Sequence, residues 1–388
     1  MEIVDRIRTK INNFYKRVSA VVRKFSQAYL FVVILMALAG YALIFLFPVL
    51  VIISIERLFD VLPNTDLNNW QPAVIWLVTL LISALFSYRI IKIKPQQPEG
   101  LTLNAEKTPE IFKLVEQYRS HFKRPKIDRI VITKEYELDI IKVPKWGLPV
   151  WSTNTMVIGL PVLLCFPQKQ FECMLARRIG QFSKRHNPIL NWLYQLRPIW
   201  QQYSIAYGKQ QYIDRFFLKW LISVYASMYS AISTYAARLD ELNADTYAME
   251  IFIHDDVREM ITADSVYSHY MKQRYWPAIE KVASVKADAS LTPYKNISAS
   301  MLASMKDSKL RSLINEVFKK EPDRKNPRAE LKQRLENIGH DSPYMSEPAN
   351  EFAATKCLGS SANAVISLID KLWLNDYLKK IKKSRKNN

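Results

Sequence analysis

The stretch Cys173-Met-Leu-Ala-Arg-Arg-Ile-Gly-Gln-Phe-Ser-Lys-Arg-His186 decides how the rest of the chain is read. Phe171, Leu175, Ile179 and Phe182 recur at spacings of three and four, which marks the apolar stripe of an amphipathic helix. Arg177, Arg178 and Gln181 fall on the stripe beside it, because residues three and four apart stack on successive turns. Arginine is almost never fully buried without a partner. Two adjacent arginines beside a core stripe therefore either snorkel to water or meet carboxylates from elsewhere. Farther on, in Arg238-Leu-Asp-Glu-Leu-Asn-Ala-Asp245, Glu241 and Asp245 lie four apart on one helical face.

Working outward, the 388 residues are enough for two domains, or for one large domain plus a membrane module. Hydrophobic residues make up 49% of the chain, yet its mean hydropathy is −0.10, so the apolar content is concentrated in particular segments. The net charge of +19 suits an anionic partner, lipid or nucleic acid. Three cysteines without a C-x-x-C pair support neither a disulfide framework nor a thiolate metal site. Eight glycines leave no G-x-G-x-x-G or P-loop cradle, which argues against nucleotide-binding folds.

The concentrated segments are two. Ala28 to Ile55 and Pro72 to Tyr88 contain no charged residue, and each approaches or exceeds the roughly 20 residues needed to cross a bilayer. Residues 28–92 thus read as a two-helix transmembrane hairpin. A signal peptide is a poor reading of the first run, which is too long and starts too late. Residues 1–27 are basic, the intervening loop has Arg57 as its only basic residue, and Arg89, Lys92 and Lys94 follow. The positive-inside rule then places both termini and residues 100–378 in the cytoplasm. The basic tail, 379–388, adds attraction to anionic lipid. Given these spans, the bilayer is the better explanation of the charge, and nucleic acid is not an expected partner.

Beyond the proline-containing linker Lys94 to Gly100, Thr108-Pro109 opens a helix with Thr108 as its cap. Ile127 to Thr133 and Asn154 to Leu160 read as strands, with turn-rich sequence from Val143 to Pro149 between them. After Pro188 the pattern is helical almost throughout. The apolar run Phe216 to Tyr235 reads as a buried or membrane-surface helix, because serine and tyrosine are frequent in it and one more crossing would move the C-terminal half outside. The fold class is mainly α with a small β-sheet.

These pieces together resemble the membrane-anchored zinc metallopeptidases that include the HtpX heat-shock proteases and the CAAX prenyl proteases. The bacterial members with an N-terminal pair of transmembrane helices are the most similar. Thr155-Met-Val-Ile-Gly-Leu-Pro-Val-Leu-Leu164 is similar to the family's lead-in strand and G-L-P-L-L turn. Cys173 to Gln181 is similar to its A-V-L-A-H-E-L-G-H helix, Arg185-His-Asn187 to its trailing R-H-N, and Glu241-Leu-Asn-Ala-Asp245 to its E-x-x-A-D motif. Asn326-Pro-Arg-Ala-Glu-Leu-Lys-Gln-Arg-Leu-Glu-Asn-Ile-Gly339 resembles a later H-P-x-x-x-x-R-L-x-x-L-G segment, with Arg334 kept and the histidine replaced by Asn326. The resemblance implies a zincin-like α+β domain in a bacterial cytoplasmic membrane.

It also identifies what has been lost. In H-E-x-x-H the histidines bind zinc and the glutamate activates water. Here Arg177 stands for the first histidine, Arg178 for the glutamate and Gln181 for the second histidine, so the resemblance implies a vestigial site of Arg177, Arg178, Gln181, Glu241 and Asp245. No catalytic residue, metal ligand set or cofactor is assigned, although zinc is implied for active relatives. His186 matches a non-ligand family position. Arg177 is expected to pair with Glu241, Asp245 or both in place of the metal, with Gln181 in a neutral hydrogen-bonding role and Arg178 exposed or binding an anion. The implied function is that of a membrane-anchored pseudoprotease binding a membrane-protein segment, a peptide or an active peptidase. Thr155, Met156, Val157 and Ile158 would offer an edge strand for β-augmentation by an extended peptide. The alternatives are an active peptidase with a non-standard site and a structural membrane protein.

Overall fold

A computed structural model describes residues 26–64, 69–92, 97–145, 148–183, 188–208, 215–285, 288, 290–320, 328–346 and 351–387. The basic segment before residue 26, the Arg185-His186-Asn187 triplet and Asn326 lie outside them. The chain divides into two compact units that interleave in sequence. One comprises Met1–Gln97, Lys142–Thr153 and Trp192–Ala236; the other comprises Pro98–Ile141, Asn154–Asn191 and Ala237–Asn388.

The first unit is built on α1 (Ser26–Val61) and α2 (Gln71–Ile91), which pack against each other. Both are long and apolar enough to cross a membrane, and among the described residues they are the two helices that meet that test. Their outer faces expose large apolar side chains such as Phe31, Ile52, Ile75 and Leu81. A water-soluble surface scatters such groups singly rather than massing them on two helices. Most of α6 (Pro188–Gly208) and the first part of α7 (Arg215–Ala248) complete this unit.

The second unit holds a four-stranded sheet in the order β1-β2-β4-β3, formed by β1 (Leu101–Thr102), β2 (Arg129–Thr133), β3 (Leu138–Lys145) and β4 (Leu148–Gly159). The 142–153 portion of β3 and β4 belongs to the first unit. β2 runs antiparallel to β1 and parallel to β4, in a register that sets Arg129 opposite Thr155 and Thr133 opposite Gly159. The expected edge strand is therefore not an edge. Thr155 to Ile158 sit in β4, hydrogen-bonded to β2 on one side and neighbouring β3 on the other, and all four are buried. The reason is β3, which occupies residues 138–145 and which the turn-rich sequence around Pro144 and Pro149 concealed.

Around the sheet stand α3 (Pro109–His121), the short α4 (Leu160–Cys165), α5 (Gln168–Phe182), α8 (His254–Tyr270), α9 (Trp276–Val285), α10 (Ile297–Ser304), α11 (Asp307–Phe318), α12 (Leu331–Asn337), α13 (Ala353–Leu358) and α14 (Ala362–Asn387). Thr108 does not cap α3 through its side chain; its hydroxyl donates instead to the Asn104 carbonyl. α5 packs against α3 and α8 at the centre of the unit. Its apolar stripe is buried as the spacing predicts, but so is every residue from Cys173 to Phe182. It is a core helix rather than an amphipathic one. Gly180 permits the packing, since a Cβ there would come within 2.6 Å of Tyr247 Cβ.

Candidate functional site

A buried helix carrying two arginines requires compensation, and α7 supplies it. Its last three turns present Asp240, Glu241 and Asp245 toward α5, and each is at most 4% exposed. Arg177 reaches both of the expected carboxylates. Its Nε donates to Asp245 Oδ1 at 2.5 Å and its Nη2 to Glu241 Oε2 at 2.7 Å, with a further bond from Nη2 to the Glu241 carbonyl at 3.0 Å. The guanidinium plane thus clamps successive turns of α7, a fork geometry that an ammonium could not supply.

Arg178 is not exposed. It is 5% accessible, and its Nη1 donates to Glu241 Oε1 and to Gln181 Oε1, both at 2.7 Å. The anion it binds belongs to the chain itself. Glu241 therefore holds one arginine on each carboxylate oxygen. Gln181 fills the neutral role, accepting from Arg178 while its Nε2 donates to Asp240 Oδ2 at 2.7 Å. The Asn191 amide in turn donates to the Gln181 carbonyl at 2.6 Å.

Four participants were not anticipated from the sequence as cluster members: Asp240, Asp264, Arg328 and Arg334. Arg334 on α12 donates from Nε and Nη2 to Asp245 at 3.0 and 2.8 Å, and from Nη1 to Asp264 Oδ2 at 2.9 Å. Asp264 belongs to α8 and also lies 3.9 Å from Arg328. The network thus ties α5, α7, α8 and α12 together around one buried point. The readable signals were weak ones. Arg334 stood out only as a retained family position, and Asp264 is one of four acids in α8, the one that is buried.

Electrostatics sorts the acids into two kinds. Burial pushes the Asp240 carboxyl up to about 7, because a single Gln181 amide bond and more distant arginines compensate it only in part. Burial opposes ionisation of Glu241 as well, but Arg178 and Arg177 overcome it and hold that carboxyl well below its ordinary range. Asp264 is likewise held low against its burial by Arg328 and Arg334. Four guanidiniums thus face Glu241, Asp245 and Asp264, with Asp240 as the acid of this cluster poised near neutrality. Elsewhere, Cys165, Cys173 and Cys357 are free and buried, and burial raises each thiol out of reach of ionisation at neutral pH.

Chemically, the arrangement offers a rigid ion-pair junction. Every carboxylate oxygen of Glu241 and Asp245 receives a guanidinium hydrogen bond. No family model, no curated protein and no solved structure matches the chain.

Proposed function

We propose that this chain is a membrane-anchored, catalytically inactive relative of the zinc metallopeptidases it resembles, with the metal site converted into an ion-pair clamp and with a membrane-protein or peptide partner as its ligand. The observation that carries this reading is the clamp itself. The positions that correspond to the two zinc histidines and the catalytic glutamate hold Arg177, Gln181 and Arg178, and these engage Glu241, Asp245 and Asp240, the carboxylates nearest to them. The donor set does not fit zinc. Guanidinium is a fixed cation with no lone pair to offer, and it already occupies the oxygens a dication would need. The cluster is also sealed, which supports a structural role over attack on a substrate. Anchoring in a membrane with the second unit on the cytoplasmic face is part of the same reading, supported by the two apolar helices and by the charges that flank them.

The test is metal analysis of the purified full-length chain in detergent, beside the triple variant Arg177→His, Arg178→Glu, Gln181→His. The parent is expected to carry no stoichiometric zinc and to cleave no unfolded substrate. Stoichiometric zinc in the parent overturns the reading. Zinc binding by the variant alone supports the inferred ancestry, and proteolysis by it shows a competent scaffold.

A further inference from the structure

Between α8 and α9 the helix does not stop but widens. Met271–Tyr275 forms one π-turn, in which the Trp276 amide donates to the Met271 carbonyl five residues back. Such turns are rare inside helices and recur at functional sites. Here the turn changes which side chains share a face. In a regular α-helix residues five apart point about 140° away from each other, yet the rings of Tyr270 and Tyr275 lie 6.4 Å apart between centroids. At spacings of four, Tyr270, Arg274 and Ala278 form one row and Tyr275 and Ile279 a second. All five line a cavity of about 350 Å³, within the roughly 300–1,000 Å³ range of small-molecule sites.

α10 and α11 contribute the rest of the lining, Ser300, Ser304 and Lys309. The two serines lie four apart, hence on one face of α10. The Tyr270 hydroxyl joins them, 2.9 Å from Ser304 Oγ and 3.3 Å from Ser300 Oγ. The Tyr275 hydroxyl is committed elsewhere, donating to the Pro293 carbonyl, so this residue offers the cavity its ring. Among the described residues two cations line the cavity and no acid does. Arg274 is held through one nitrogen: its Nη2 donates to Glu316 Oε2 at 3.0 Å, while the other Glu316 oxygen meets His269 Nε2 at 2.8 Å. Among the described residues its Nε and Nη1 make no hydrogen bond, and the Lys309 ammonium has no ion pair.

We propose that this cavity binds a small phosphomonoester, its phosphate held by Arg274, Lys309 and the serine hydroxyls and its organic part resting on Tyr275, Ala278 and Ile279. At neutral pH such an ester carries a charge of about −1.5 to −2 and three acceptor oxygens. Two cations and several hydroxyls match that better than they match a carboxylate, with its single charge and two oxygens. The planar arginine fork takes two phosphate oxygens at once, and lysine adds a flexible point charge. Glu316 holds the arginine in place and leaves part of the fork unfilled. The site lies wholly in the second unit and uses no residue of the ion-pair clamp, so it stands or falls apart from the reading of that clamp.

Calorimetric titration of the full chain in detergent with phenyl phosphate tests the site. Saturable binding is expected, with inorganic phosphate and benzoate each weaker by about tenfold or more, since each lacks one half of the ligand. Arg274→Gln and Lys309→Gln are each expected to weaken phenyl phosphate by about tenfold or more. Both side chains are exposed, so neither change puts the fold at stake. Lys272→Gln, on the same π-turn but outside the lining, is expected to leave the affinity unchanged. Absence of saturable binding in the millimolar range overturns the proposal. So does an equal loss in Lys272→Gln, which marks general attraction to a basic surface. Benzoate binding as tightly as phenyl phosphate overturns the phosphate assignment, and inorganic phosphate binding as tightly overturns the organic one.

Discussion

Arg177 is where a single side chain matters most. Its guanidinium is 2% exposed and bonds two buried carboxylates, so truncation leaves Glu241 with Arg178 alone and Asp245 with Arg334 alone. Arg177→Ala is expected to cost about 3–5 kcal/mol, read by denaturant unfolding in detergent, and a cycle with Asp245→Ala should show strong coupling between the two sites. Asp240 acts in the opposite sense. Its carboxyl titrates near 7 when folded and near 3.9, the approximate model-peptide value, when unfolded. Between these limits the folded state keeps a proton that the unfolded state has lost, so stability falls as pH rises from about 4 to about 7. Asp240→Asn should flatten that slope and stabilise the protein at pH 8 by roughly 1–4 kcal/mol. Glu241 and Asp264, held low, contribute stability that is full above about pH 5 and is lost as pH falls through their folded values. A melting series across pH checks both signs. The pairing of Arg177 was legible in advance because the family resemblance sets it at a lost metal-ligand position opposite Glu241 and Asp245. The burial of Arg178 was not, because nothing in a linear sequence reveals that Glu241 offers its second oxygen to the neighbouring arginine.

At the scale of elements, α5 shows why periodicity located a helix correctly and misjudged its environment. Spacing marks one apolar face, but the opposite face is buried too, by charges that cancel rather than by apolar groups. Hydropathy patterns do not register cancellation. The same helix gives a prediction through Gly180, which sits 2.6 Å from Tyr247 Cβ once a Cβ is added and 3.1 Å from the Phe122 ring. Gly180→Ala would gain about 1 kcal/mol of helix propensity on an exposed helix. Here overpacking is expected to win, with a net loss of about 1–3 kcal/mol in thermal unfolding. β3 was missed for a related reason. Prolines at 144 and 149 read as turn signals, yet Pro144 lies in β3 at the edge of the sheet, where a strand tolerates a residue that cannot donate.

Across the whole molecule, the two long apolar N-terminal helices were legible from composition alone. The division into units was not, since it follows contacts between segments far apart in the chain. Residues 192–236 carry Gln195, Arg197, Gln201 and Gln202, which lower their hydropathy below that of α1 and α2. The interleaving makes a simple truncation a poor route to a soluble domain. A fragment of residues 98–388 keeps the 142–153 and 192–236 segments but loses the helices they pack with in the first unit. It is expected to aggregate without detergent, whereas the full chain in detergent should elute as a defined species on size exclusion.

The long sequence separations within the clamp have a consequence for the timing of synthesis. Arg177 is separated from Asp245 by 68 residues, and Asp245 from Arg334 by 89. At roughly 5–20 residues per second, several seconds pass on the ribosome between α5 and its first counter-charge, and a similar interval before the last. Until then two guanidiniums keep α5 in water, so a helix that ends up buried from Cys173 to Phe182 cannot be buried early. The second unit must close around α5 late in translation, once α12 has emerged, and a chain stalled before Arg334 would leave Asp245 and Asp264 without the cation that joins them.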